Sequence, residues 1–201
     1  MVKVYAIDGV IPVVHPSAFV HPSAVLIGDV VVGAGCYIGP SASLRGDIGR
    51  IIVEEGANVQ DQCVLHCFPQ AECRIGPWGH IGHGAVLHGA TVGAHALVGM
   101  NAVLMDGSEI GDYAFVAAMS FVAGGFVVPP RSLAAGVPAK IRRTLGDDEI
   151  AWKRRGTEEY QRIAKRSRET MRQVEALSEL DANRPTLPVE AHHPLHVVRG
   201  R

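Results

Sequence analysis

Aromatic residues are scarce in this chain, at 5% of 201 residues, although 47% of it is apolar. A thick core built around large rings is therefore excluded, and thin layers filled by aliphatic side chains are favoured. Cysteine is sparse too. Cys36, Cys63, Cys67 and Cys73 include no CxxC pair, which argues against a zinc ribbon or a disulfide scaffold. Buried thiols in a reducing cytoplasm are expected, with Cys67 and Cys73, in or beside one loop, as the one pair that could join. No apolar run reaches the ~18 residues of a membrane span, and nothing ahead of the first strand reads as a signal peptide. Net charge is -1, which gives no hold on nucleic acid. The first 140 residues carry 6 Lys/Arg against 10 Asp/Glu, and the rest carry 13 against 10. The weakly basic end reads as a solvated helix face.

What the chain has in quantity is glycine, at 23 residues, and an aliphatic residue at every sixth position. The series runs Val14, Val20, Leu26, Val32, Ile38, Leu44, then Val53, Val59, Leu65, then Ile75, Ile81, Leu87, and finally Val92, Val98, Leu104, Ile110, Val116, Val122. A hexapeptide period marks a parallel β-helix, three hexads to a triangular coil, with glycine easing the corners. Eighteen hexads predict about six coils over residues 1–140, led in by a strand near the N-terminus. Extra residues after Leu44 and Leu65, and one missing before Val92, leave the register countable; insertions belong at corners, where loops reach a binding face.

Beyond Lys140 the pattern changes. Asp147 and Asp148 open a helical segment over 141–180, with acids in the first turn. Gly156-Thr-Glu-Glu is expected to break and recap it. Tyr160, Ile163, Ala164, Met171, Val174 and Leu177 recur at helical spacing and should pack on the β-helix or on a neighbouring subunit. Residues 181–201, with Pro185, Pro188 and Pro194, read as a loose tail; His192, His193 and His196 in it are expected to be solvated.

The hexad count places the other histidines. Leu44, Leu65, Leu87 and Leu104 share one face, and the residue after each points outward. Arg45, His66 and His88 should therefore stack on successive coils about 4.8 Å apart. Val59, Ile81 and Val98 share a second face, and two residues on come Asp61, His83 and Met100 at a corner, with Gln60 beside Asp61. His66 and His88 alone leave a metal site incomplete, and His83 of the same chain stands on another side of the prism. His83 of a neighbouring chain would complete it, so the count predicts a homotrimer with a three-histidine site between subunits. Three neutral imidazoles suit Zn²⁺ (Fe²⁺ or Co²⁺ as alternatives) and leave a position for water, which such a metal turns to hydroxide near pH 7. His80 fits neither column and reads as a turn residue.

Ser43-Leu-Arg-Gly-Asp47, Asn58-Val-Gln-Asp61, Val64-Leu-His66 and Gly82-His-Gly-Ala-Val-Leu-His-Gly89 resemble, in order, the motifs of the γ-class carbonic anhydrase-like hexapeptide-repeat family. Val13-Val-His-Pro, Val98-Gly-Met-Asn and Ala151-Trp-Lys-Arg are similar to its phenylacetate-degradation and carnitine-operon branch. The resemblance spans residues 3–180 and implies a left-handed helix. It also implies a trimer whose metal is held by His66 and His88 of one chain and His83 of the next. Arg45 and Asp47 match a pair that bridges subunits, Gln60 matches the partner of the metal's hydroxide, and Asp61 matches a residue that orients its neighbours.

The chain departs from the efficient anhydrases at Ile48, where they carry a glutamate, and in Cys67-Phe-Pro-Gln, where they carry an acidic loop. Glu72 lies further out. CO₂ hydration needs an exit for a proton, and none is supplied near the site. Phe68, Pro69 and Met100 instead suggest an apolar rim for a larger organic substrate. The reading is thus a zinc-dependent hydrolase of an acyl-CoA thioester in aromatic-acid (phenylacetate) catabolism. The alternatives are a carbonic anhydrase acting on CO₂ and bicarbonate, and a hexapeptide acyltransferase or scaffold of carnitine metabolism. Neither nucleic acid nor membrane is expected as a partner.

Overall fold

In a computed structural model, which describes residues 2–187 and 193–198, the chain winds into a parallel β-solenoid followed by one long helix. Short strands, most of two or three residues, alternate with tight corners, as hexads demand, and strands of the solenoid pair in parallel with those a coil away. One face stacks Val4, Leu26, Leu44, Leu65, Leu87, Leu104 and Val122. The second stacks Val20, Ile38, Val59, Ile81, Val98, Val116 and Ala134. The third stacks Val14, Val32, Val53, Ile75, Val92, Ile110 and Val128. Each face thus has one rung more than the six coils the hexads predict, because the lead-in strand adds Val4 to the first face and the winding continues through Val128 and Ala134 on the other two. The architecture is consistent with the left-handed β-helix expected.

Nearly all these rungs are fully buried, and each buried aliphatic contributes roughly 1.5–3 kcal/mol. Two residues before them stands a small side chain, as at Ala24, Ala42, Ala85 and Ala102, all fully buried. Cys36, Cys63 and Cys73 occupy that same slot, which explains their burial. All four cysteines are free, so Cys67 and Cys73 do not pair. Burial pushes the thiols of Cys36 and Cys73 up to about 12 and that of Cys63 up to about 11, so they remain protonated and inert.

A strand over Ala139–Thr144 turns back antiparallel on Ser132–Gly136 and leads into α1, Asp147–Thr170. Arg143 forks onto the buried Glu149 at 2.7 and 2.8 Å, and Glu149 also accepts from the Gly146 amide, which fixes the helix start. α1 then runs back along the second face. Lys153 Nζ donates to the Trp78 carbonyl at 2.6 Å, Gln161 to Gly56 at 3.0 Å and Arg168 to Ser17 at 3.3 Å. These acceptors lie at corners along one edge of the solenoid, so the helix is held by donors reaching corner carbonyls.

Three expectations are corrected here. α1 is continuous through Gly156, with no break. Its buried residues are Glu149, Lys153, Thr157 and Ala164, so of the apolar stripe read from spacing Ala164 is buried and Tyr160 packs on Tyr37 and His80, while polar side chains fill the rest. Met171, Val174 and Leu177 lie past the helix end and are exposed. The wall that α1 meets is studded with backbone acceptors, and polar side chains satisfy it where apolar ones would not. Of the tail, α2 spans Leu195–Val198, and the His193 carbonyl accepts from Trp152 Nε1 at 2.9 Å. His192 lies outside the described residues. No described helix is long and apolar enough to cross a membrane.

Candidate metal centre

His66 and His88 end the strands Val64–His66 and Val86–His88 and pair in register, as the hexad count requires. His66 Nδ1 faces His88 Nε2 at 3.1 Å. The outer nitrogen of each ring meets a carboxylate from the adjacent coil. His66 Nε2 lies 3.1 Å from Asp47 Oδ1, and His88 Nδ1 lies 2.6 Å from Asp106 Oδ1. With the outer N–H groups donating to carboxylates, both inner nitrogens present lone pairs to the same point. Two lone pairs at that distance repel unless a shared proton or a bound metal ion lies between them. Two ligands 2.0–2.1 Å from a tetrahedral zinc stand roughly 3.3 Å apart, so the pair fits two corners of such a site.

His83 follows the same rule on the other side of the prism. Its Nδ1 meets Asp61 Oδ2 at 2.7 Å, and its Nε2 lies 3.5 Å from the Tyr160 hydroxyl. Each of the three histidines therefore has its own aspartate on one ring nitrogen, the arrangement that fixes tautomer and orientation in metal-ligating histidines. Among the described residues of a single chain, no three such side chains converge on one metal-sized point. His83 stands apart from His66 and His88, as the hexad count predicts.

Arg45 donates to Asp47 of its own chain at 2.8 Å, where the resemblance implies a bridge to a neighbour. The two stand two residues apart on the strand Ser43–Val53, so they share its outward side. Burial raises the Asp47 carboxyl, but hydrogen bonds from Arg45 and His66 outweigh it and hold the group below the usual carboxylate range. Asp47 thus stays ionised opposite His66.

Gln60 is nearly buried on the second face, its amide nitrogen 2.9 Å from Asn58 Oδ1 and 2.7 Å from His80 Nε2. His80 is not a turn residue. It lies on the strand His80–Ile81 and joins the buried Asn58, Gln60 and Thr157 in a polar cluster in which it is itself partly covered. Sequence reading missed it because His80 precedes a hexad aliphatic and so points outward; only the helix laid beside it gives it Thr157 as a neighbour. Asp106 was missed as well, although its place eighteen residues after His88 was the available signal.

The rim is apolar where the sequence suggests. Phe68 sets its edge against His88 at 4.9 Å and is 58% exposed, and Met100 and Ile48 are each about half exposed. Glu72 is engaged by Arg74 at 2.6 Å. The Cys67 thiol, beside His66 in sequence, is buried and pushed up, which removes it as a nucleophile.

A family profile described as bacterial transferase hexapeptide (six repeats) matches residues 11–46 and 89–124. The carnitine operon protein CaiE of Escherichia coli (strain K12) is 56% identical over 183 residues, covering 91% of this chain and 93% of that protein. CaiE of Salmonella agona (strain SL483) is equally similar, over 91% and 92%. Among solved structures, a Bacillus cereus protein described as a putative acetyltransferase superposes with a TM-score of 0.82 at 33% identity, over 84% of this chain and 98% of that one. A hexapeptide transferase family protein from Anaplasma phagocytophilum gives 0.78 at 35% identity, over 81% and 96%.

Proposed function

Because the chain belongs to the hexapeptide-repeat family and is a close relative of CaiE, we propose that it is a metal-dependent hydrolase of acyl-CoA thioesters, built as a homotrimer. The observation that carries this reading is the carboxylate on the outer nitrogen of each of His66, His83 and His88. His66 and His88 of one chain and His83 of the next would hold Zn²⁺. Bound there, the metal supplies Lewis acidity that activates water near neutral pH.

The chain's own residues do the rest. Asp47, Asp106 and Asp61 fix the imidazole tautomers and keep the inner nitrogens unprotonated. Gln60, held by Asn58 and His80, lines the same groove as His83 and would meet the reacting oxygen there. Phe68 and Met100 shield the site from bulk water and offer apolar surface to an acyl group. Fast CO₂ hydration is disfavoured, since Ile48 is apolar and Glu72 is already paired with Arg74. A second reading, acyl transfer to an amine or hydroxyl, rests on the transferase descriptions of the two similar structures.

The test is a Zn²⁺-loaded assay of thiol release from a panel of acyl-CoA thioesters, with and without amine acceptors, beside stopped-flow CO₂ hydration. Thiol release that needs no acceptor and is abolished in Gln60→Ala supports hydrolysis. Release only with an acceptor selects the transferase reading. Fast, buffer-insensitive CO₂ hydration with inert thioesters selects the anhydrase.

A further inference from the structure

The two ends of the solenoid are finished differently. At the C-terminal end the last rungs, Val122, Val128 and Ala134, are fully buried, and the chain goes on into the strand Ala139–Thr144, which exposes Lys140 and Arg142. At the N-terminal end the first rung of the first face, Val4, is 40% exposed. In the same coil Tyr5, Ile7, Val10, Ile11 and Val13 are between 39% and 66% exposed. A solenoid that stays soluble alone carries a polar outer surface on its terminal repeats. This first coil, residues 2–20, has only Lys3 and Asp8 as formal charges.

The end is open in its backbone as well. The strands Lys3–Tyr5, Val13–Val14 and Phe19–Val20, one on each face, pair with the second coil alone, so the other edge of each has no strand beside it. Three free edges around a triangle are matched, in number and spacing, by the same end of another copy. Two such ends set face to face circulate in opposite senses, so facing strands run antiparallel and can complete their ladders. With one charge of each sign the coil meets itself without net repulsion. The basic far end offers no such match, which disfavours a head-to-tail filament and favours a closed two-fold contact. Six part-exposed apolar side chains amount to on the order of 500 Å² per chain, so two ends would bury about 1,000 Å², where specific contacts begin. We propose that the N-terminal coil is a docking surface for the same coil of a second copy, joined head to head about a two-fold axis. This rests on neither the metal nor the thioester reading. It makes six chains of the proposed trimer, and two of a chain that forms no trimer.

The test is sedimentation velocity of the full chain over a concentration series, beside amide hydrogen exchange and circular dichroism. Val13 lies on the third face and Ile11 just before it, away from the first face that carries His66 and His88. Ile11→Glu and Val13→Glu therefore set like charges against each other at the contact and leave the candidate centre alone, and neither side chain is buried. We expect the parent to have twice the mass of each variant, with the same circular dichroism. Peptides within residues 3–20 should exchange more slowly in the parent. Diluting the parent until its mass halves should speed exchange in those same peptides, a readout that needs no variant.

Equal masses for the parent and both folded variants overturn the contact, whatever that mass is. So does exchange in residues 3–20 that ignores dilution, or a mass that grows without limit as concentration rises, which marks a filament. A parent of two chains and variants of one support the contact and remove the trimer. Three chains in the parent and in both variants do the reverse.

Discussion

Asp106 and His88 sit on adjacent coils, eighteen residues apart, yet Asp106 Oδ1 lies 2.6 Å from His88 Nδ1. The carboxylate accepts the Nδ1 proton and leaves Nε2 with its lone pair toward His66. Asp106→Ala should weaken Zn²⁺ binding by about 10–100-fold without altering the fold, whereas Asp106→Asn, which can still accept, should lose less. Competition with a chelator, beside circular dichroism, measures this. Unchanged affinity in Asp106→Ala would show that His88 is oriented by something else.

Gly89, the residue after His88, has φ +59°, and a Cβ there would come within 2.6 Å of Asp106 Oδ1. The absent side chain is the space the carboxylate occupies. Gly89→Ala should cost about 1–2 kcal/mol in denaturant unfolding, from the left-handed backbone alone. It should also lower metal affinity, and no further when combined with Asp106→Ala, since both act on one contact. Additive losses in the double variant would separate the two effects.

His83→Ala should abolish metal binding and activity while the solenoid keeps its far-ultraviolet spectrum, because buried rungs on three faces do not depend on an exposed corner. The proposed trimer should dissociate at higher concentration, since in it each metal would join two chains. Metal analysis with sedimentation decides it; full metal content in the variant refutes the ligand assignment.

Burial lowers Lys153 from its ordinary 10.5 to about 7. Between those values the unfolded chain binds the proton and the folded one does not, so stability rises with pH over that window and the penalty is full below pH 7. The rise should be about 2 kcal/mol between pH 7 and 8.5. Above that, cysteines that ionise near 9 when unfolded begin to reverse it. Lys153→Met should flatten the slope and be the more stable protein at pH 7, by on the order of 2 kcal/mol once the lost Trp78 hydrogen bond is set against the gain. Parallel slopes for the two proteins would place the titration elsewhere.

By itself the sequence determined the solenoid and the columns on it. A side chain's face follows from its place in a hexad, so Leu65 goes in, His66 goes out, and His88 lies beside His66 whatever the rest of the chain does. The same arithmetic separates His83 and sets Asp61 against it. Tertiary structure decided what the hexad does not encode. Aspartates reach across coils to His66 and His88, at distances fixed by rotamer and by the gap that Gly89 leaves. The path of α1 was also outside the period, because its buried stripe is mostly polar and its partners are corner carbonyls, which no side-chain pattern announces. That path partly covers His80 and leaves an apolar groove behind His83. Periodicity specifies directions, and contacts between elements that share no period are specified only once both have been folded onto each other.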